Sequence, residues 1–189
     1  EPEQVRREPV IRLAACLIAA TVASLALAQE NARAYDVAGR GKVQFLVPDA
    51  WFDAPRPRPG GLPSVRFFDK LGPRPPFDLS ITIAWSTSKP PSYGSPERLR
   101  AFVAQSRDDV AAAAAAPRPE LREIEGAGGL GYYFQATIES PPAGEWPHLT
   151  RGAIVVGDLL VAFTILAAEP DAPQVGRALK MLASGRRVP

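Results

Sequence analysis

His148 is the single histidine in the 189-residue chain, so any Ser–His nucleophile pair would have to be built on it. No Gly-x-Ser-x-Gly elbow accompanies it. It ends the stretch Gly144-Glu145-Trp146-Pro147-His148, which reads as a rim loop entering a strand, and an exposed loop histidine is the plainer reading. A metal centre could draw only on carboxylates beside this imidazole, a poor donor set. Gly126-Ala127-Gly128-Gly129-Leu130-Gly131 has G-x-G-x-x-G spacing. A dinucleotide site needs that turn to open a helix whose amides meet the phosphates. Here it leads into Tyr132-Tyr133-Phe134, a strand, so the glycines are read as a turn. Asp108 and Asp109 are adjacent on a helix and diverge. Glu139, Glu145 and Asp53 have no spacing that marks paired-carboxylate hydrolysis. No catalytic and no metal residue is assigned, and no cofactor is expected.

Two features suit binding better than catalysis. Arg56, Arg58, Arg66, Lys70 and Arg74 face only Asp69 in the proline-rich region 54–75. That local field could steer an anionic ligand or an acidic envelope protein, although a solvated, aggregation-resistant loop is the blander alternative. Stacking aromatics are not interleaved with these cations, which argues against nucleic acid. Trp146 and Tyr133 are candidate contact aromatics, Tyr133 only if its strand face is left uncovered. Trp51 follows a strand end and is read as core. The candidate surface therefore combines Trp146, His148, Tyr133, Arg56 and Arg58.

These residues need a scaffold. The composition is 46% hydrophobic and 22% charged with a net charge of +2, ordinary for a globular protein and too neutral for a global field. Residues 1–28 read as a signal peptide: Arg6, Arg7 and Arg12, then Leu13 to Leu27 without a charge, then Ala26-Leu27-Ala28. The apolar run is shorter than the roughly 20 residues a spanning helix needs. Export to the periplasm or beyond follows as an expectation, with membrane contact only through this segment if it stays uncleaved. Cys16 is the only cysteine and lies within that segment, so the remaining domain has no disulfide or thiolate chemistry. A short segment, 29–34, is expected to lead into one domain over 35–189.

Within that domain, strands are expected at 42–47, 65–69, 78–86, 121–125, 131–139, 149–156 and 159–166. The alternation of Leu79, Ile81, Ile83 and Trp85 with Ser80, Thr82 and Ala84 is clearest. Residues 54–63, with proline at alternate positions, read as a semi-extended loop. Ser95 and Pro96 start a helix with an apolar face of Leu99, Phe102, Val103 and Val110, prolonged through the alanines to Pro117. A second helix, 173–184, presents Val175, Ala178, Leu179 and Leu182. Gly157-Asp158 marks a tight hairpin. The fold class is α+β: a largely antiparallel sheet of six or seven strands against two helices, expected on one face.

Val47-Pro48-Asp49-Ala50-Trp51, the run Val155-Val156-Gly157-Asp158-Leu159 with Gly152 and Phe163-Thr164, and the closing Leu179 with Met181-Leu182 carry a resemblance. Over residues 35–185 the chain resembles the PsbP-like superfamily, which includes photosystem II accessory subunits, a nuclear-import cofactor and exported bacterial proteins. The resemblance implies an α/β sandwich with a central antiparallel sheet and an accessory or binding role. It transfers no metal or partner residue to this chain. The expected function is an exported, non-catalytic accessory or binding module. A small envelope hydrolase using His148 and a membrane-anchored structural protein are the alternatives.

Overall fold

Along β5 (Phe77–Trp85) every second side chain is buried. Phe77, Leu79, Ile81 and Ile83 are fully buried, while Asp78, Ser80, Thr82 and Ala84 between them stay partly accessible. Pleating sends alternate residues to opposite faces, so the strand separates a sealed side from an open one.

In the computed structural model the described residues are 30–56, 61–69, 76–88, 91, 93–111, 114 and 118–189. The expected signal segment, 1–28, lies outside them. The chain runs through β1 (Glu30–Asp36), β2 (Lys42–Pro48), β3 (Trp51–Pro55), β4 (Ser64–Asp69), β5, α1 (Pro96–Ala111), β6 (Arg122–Gly126), β7 (Gly129–Thr137), β8 (His148–Val156), β9 (Leu159–Ala167), α2 (Pro173–Ala183) and β10 (Arg186–Val188). A seven-stranded sheet has the order β3-β4-β5-β9-β8-β7-β6, and a three-stranded sheet the order β1-β2-β10. All pairings are antiparallel. The α+β class, the seven-stranded sheet and the two helices agree with the sequence reading.

Four details differ. Residues 30–34 belong to β1, because β2 offers them a ladder from Glu30↔Pro48 to Asp36↔Lys42. The loop expected from residue 54 begins later, since β3 continues to Pro55 as an edge strand where proline is tolerated. The first helix ends at Ala111, and Ala114 instead bridges to Ile138: a tertiary backbone pairing overrides alanine's helix propensity. The helices also lie on opposite faces of the large sheet rather than on one.

The sealed face is covered by β2 and α2. Val43, Phe45 and Val47 of β2 and Val175, Ala178, Met181 and Leu182 of α2 join the alternate residues of β4, β5, β8 and β9 in one core cluster. Trp51 is fully buried there, its ring 4.6 Å from that of Phe77. A second, smaller cluster lies under α1, with Leu99 and Val103 against Tyr132, Phe134, Leu149 and Leu160. Gly152 permits the close packing of β7 on β8, since a Cβ there would stand 2.3 Å from the Tyr132 carbonyl oxygen. Gly157 turns the β8–β9 hairpin with φ of 65°.

Candidate binding cleft on the open sheet face

α1 packs on β7 and β8. The strands toward the opposite edge keep most of their outer residues partly accessible, and a cleft of about 1040 Å³ lies beside the helix. Strand register composes its floor. Arg66 pairs with Ser80, Ser80 with Thr164, and Thr164 with Arg151, so four polar side chains form one row across β4, β5, β9 and β8. The next pairing, Arg151 with Phe134, passes beneath α1. One neighbouring row carries Phe68, Asp78, Leu166 and Leu149, and the other Ser64, Thr82, Ala162 and Ala153.

The two arginines of the row differ electrically. Arg66 pairs with Asp78, Nη2 to Oδ2 at 2.5 Å, and stacks over Phe68. Its Nε and the other oxygen of Asp78 are buried without a hydrogen-bond partner. Arg151 is half-buried, and its Nε donates to Thr164 Oγ1 at 3.3 Å. Among the described residues Arg151 belongs to no ion pair. Phe102, 46% exposed, stands on the α1 side of the cleft, and Arg56, Glu145 and Trp146 stand elsewhere around it.

Neither a protein-family model nor a curated protein sequence matches the chain. Among solved structures it is similar to the solution structure of cyanobacterial PsbP (CyanoP) from Synechocystis sp. PCC 6803. The TM-score is 0.51 and the identity 16%, over 87% of this chain and 96% of that one. The chain has a PsbP-like fold.

Within this PsbP-like frame the four described candidate surface residues do not meet. Arg56 and Trp146 both line the cleft, while Arg58 lies outside the described residues. Tyr133 packs against the sealed core cluster. Leu149 belongs to the cluster under α1, so alternation turns its neighbour His148 to the other face. The expected single surface is thus divided by the sheet itself: Tyr133 and His148 occupy strand positions of the wrong parity. With helices on both faces, Tyr133 is a core-packing residue.

His148 lines a separate cavity of about 320 Å³ with Thr137, Thr150 and the exposed Asp171. Its Nδ1 is 3.0 Å from Thr137 Oγ1, its cross-strand neighbour. A hydroxyl is therefore in reach, but among the described residues no carboxylate hydrogen-bonds the ring, so the base–orienter half of a triad is absent there. The Gly126–Gly131 run forms the β6–β7 hairpin, with Gly126 paired to Gly129, and no helix follows to receive phosphate. Among the described residues no three metal-capable side chains converge, and no helix is long and apolar enough to cross a membrane.

Asp53, weighed above as a possible catalytic acid, is structural. Arg33 Nη1 pairs with its Oδ1, and the Tyr35 hydroxyl donates to its Oδ2 at 3.1 Å. Arg33 Nη2 also donates to the Trp51 carbonyl oxygen at 3.0 Å. These bonds join the small sheet to the edge of the large one. Burial, followed by the Asp53 charge, pushes the Tyr35 hydroxyl well above the ordinary tyrosine range.

Sequence reasoning missed Arg151, Thr164 and Ser80 as a group. The available signal was a charged residue inside the otherwise apolar strand 149–156. The register that aligns it with residues on two other strands was not legible.

Proposed function

We propose that this chain is a non-catalytic binding module that takes its ligand or partner in the cleft beside α1, and that it works outside the cytoplasm. The carrying observation is the cleft itself: a preformed concavity with a polar row on its floor and aromatic groups around it, the usual make-up of a ligand site. The hydrolase reading has less support, because His148 sits in a different cavity and its ring is oriented by a threonine rather than an acid. The exported, periplasmic or secreted setting rests on residues 1–28, whose composition follows a secretory signal. The fold shared with cyanobacterial PsbP accords with an accessory role without specifying a ligand.

The test uses the full chain and a plugged variant, Ala162→Trp, at the partly accessible floor of the cleft. Thermal unfolding is followed against envelope lipid, peptide and metabolite fractions, since a ligand that binds only the folded state raises Tm. A fraction that stabilises the wild type but not the folded, plugged variant supports the reading. Stabilisation in neither protein, or equally in both, rejects it.

A further inference from the structure

The floor of the cleft is charged asymmetrically, and Arg151 is the source of that asymmetry. Acidic groups are present: Asp78, Asp109 and Glu145 all line the cleft. Asp78 is engaged by Arg66, and Asp109 and Glu145 are exposed residues, where water screens them. Arg151 is different because it stands where the α1-covered half of the sheet meets the open half, with Phe134 beside it on β7 fully buried.

A guanidinium has five donors in a planar fork. The structure gives Arg151 one side-chain hydrogen bond, from Nε to a neutral hydroxyl. Among the described residues its terminal nitrogens have no hydrogen-bond partner, which leaves them to an acceptor above the sheet. Thr164 and Ser80 continue the row toward Arg66, and strands lie about 4.8 Å apart. An oxyanion seated over Thr164 would therefore meet a half-desolvated cation and two hydroxyls together. Charge-assisted bonds of that kind are about twice as strong as neutral ones.

On one side, away from Asp78, the surroundings of this row are apolar. Leu166 and Leu149 occupy the adjacent row, and Ile138, Pro141 and Trp146 line the same cleft. Phe102 on α1 leaves 46% of its surface in water, an exposure that an apolar occupant would relieve. A small inorganic anion would satisfy Arg151 and leave this apolar lining wet. A neutral lipid would cover the lining and leave the guanidinium without its counter-charge, a costly arrangement for a buried polar group.

We infer that the cleft is a site for an anionic amphiphile. A carboxylate or phosphate head sits on Arg151, Thr164 and Ser80, and an aliphatic tail runs along Leu166, Leu149 and Ile138 toward Trp146. This inference rests on the binding-module reading and specifies the chemistry of its ligand.

Titration of the full chain with dodecanoate, dodecyl phosphate and neutral dodecyl maltoside, each below its micelle-forming concentration, tests it by calorimetry. Both anionic probes are expected to bind at least ten-fold more tightly than the maltoside, and their ranking identifies the preferred head. Arg151→Gln is expected to weaken the anionic probes ten-fold or more and leave the maltoside unchanged. Circular dichroism checks the fold of each variant. Arg151→Lys, which keeps the charge and loses the fork, gives the same ranking if the glutamine variant does not fold. The inference is overturned by equal affinity for the neutral probe, by an Arg151→Gln protein that binds dodecanoate normally, or by inorganic phosphate competing at the concentration of dodecyl phosphate. A neutral probe that binds tightly and is blocked by Ala162→Trp would reject the anionic head while sustaining the binding module. Binding of no probe, with another fraction still stabilising the protein in a plug-sensitive way, has the same meaning.

Discussion

The two faces of the seven-stranded sheet use the same strands for different purposes. The sealed face holds Phe67, Phe77, Leu79, Val161 and Ile165 with no measurable exposure, covered by β2 and α2. Among the described helices and strands, α1 covers the other face over β7 and β8, and elsewhere the same strands carry Arg66, Asp78, Ser80, Thr82 and Thr164. A polar side chain on a sheet's open face contributes little to folding, so its placement is free to serve recognition. Away from α1, buried apolar positions and partly accessible polar ones are thus separated by strand parity, one residue apart.

The sharpest way to break this comparison is to mutate one residue on each side. Phe45→Ala removes a fully buried ring from β2, whose removal leaves a cavity. The expected loss is about 3–5 kcal/mol by urea unfolding. Thr164→Ala on the open floor loses the hydrogen bond from Arg151 and should cost about 1 kcal/mol or less. Comparable losses would show that the open face is also a stability element.

The same parity explains what could be read from sequence. Leu79, Ile81 and Ile83 against Ser80 and Thr82 announced a strand with one buried face. The apolar stripe of 175–182 announced a helix that buries Val175, Ala178 and Leu182. Ser95 was legible as a cap, and its Oγ accepts from the Arg98 amide at 3.4 Å. The small sheet was not legible. Residues 30–36 alternate weakly and acquire their strand only from β2, while Arg186–Val188 is three residues long. The candidate site failed for a related reason. Tyr133 and His148 have suitable chemistry, but their face depends on what covers each side of the sheet, and that is a tertiary fact. Arg151 belongs with Thr164 and Ser80 only through interstrand register, which no local pattern encodes.

A second, smaller effect sharpens the role of the small sheet. Asp53→Asn leaves Arg33 without its counter-charge at the junction with β3, and the expected loss is about 1–3 kcal/mol. The Tyr35 hydroxyl bound to Asp53 supplies a pH signature. Its folded-state pKa is raised above the ordinary value of about 10. As pH climbs past that value the unfolded chain releases the proton while the folded protein keeps it. The unfolded state then binds fewer protons, so stability falls with rising pH; below about pH 10 the contribution is fully present. Tyr132 shifts in the same direction through burial and Glu123, so the profile is read as a difference. Tyr35→Phe should fall less steeply than wild type above pH 10 in urea-midpoint measurements. Parallel profiles would mean that Tyr35 does not hold the small sheet through its hydroxyl.

Arg151→Gln tests the other side. Its side chain makes one hydrogen bond, to Thr164, and losing it should cost no more than about 1 kcal/mol. Partial burial of the cation itself opposes folding, which reduces that cost further. A midpoint shift as large as that of Asp53→Asn would identify Arg151 as part of the scaffold. A protein of nearly wild-type stability would leave recognition as the reason for a half-buried guanidinium on the open face.

The smallest effect is expected on the exposed side of α1, where charge serves neither face. Asp108 accepts from Arg118 at 2.6 and 2.9 Å and from Arg107 at 3.0 Å, and these bonds hold its carboxyl below the usual range. A depressed carboxylate stabilises above its ordinary pKa and loses that contribution as pH falls through the lowered value. Asp108 is exposed, however, so water and salt screen the pair. Asp108→Asn should therefore leave the urea midpoint at neutral pH and the acid limb of its pH profile indistinguishable from wild type at 0.15 M salt. A distinct acid limb would mean that the Arg118 contact anchors the end of α1 over β7. The wall of the cleft would then depend on an ion pair on the helix's far side, and the separation of stability from binding would not extend to that helix.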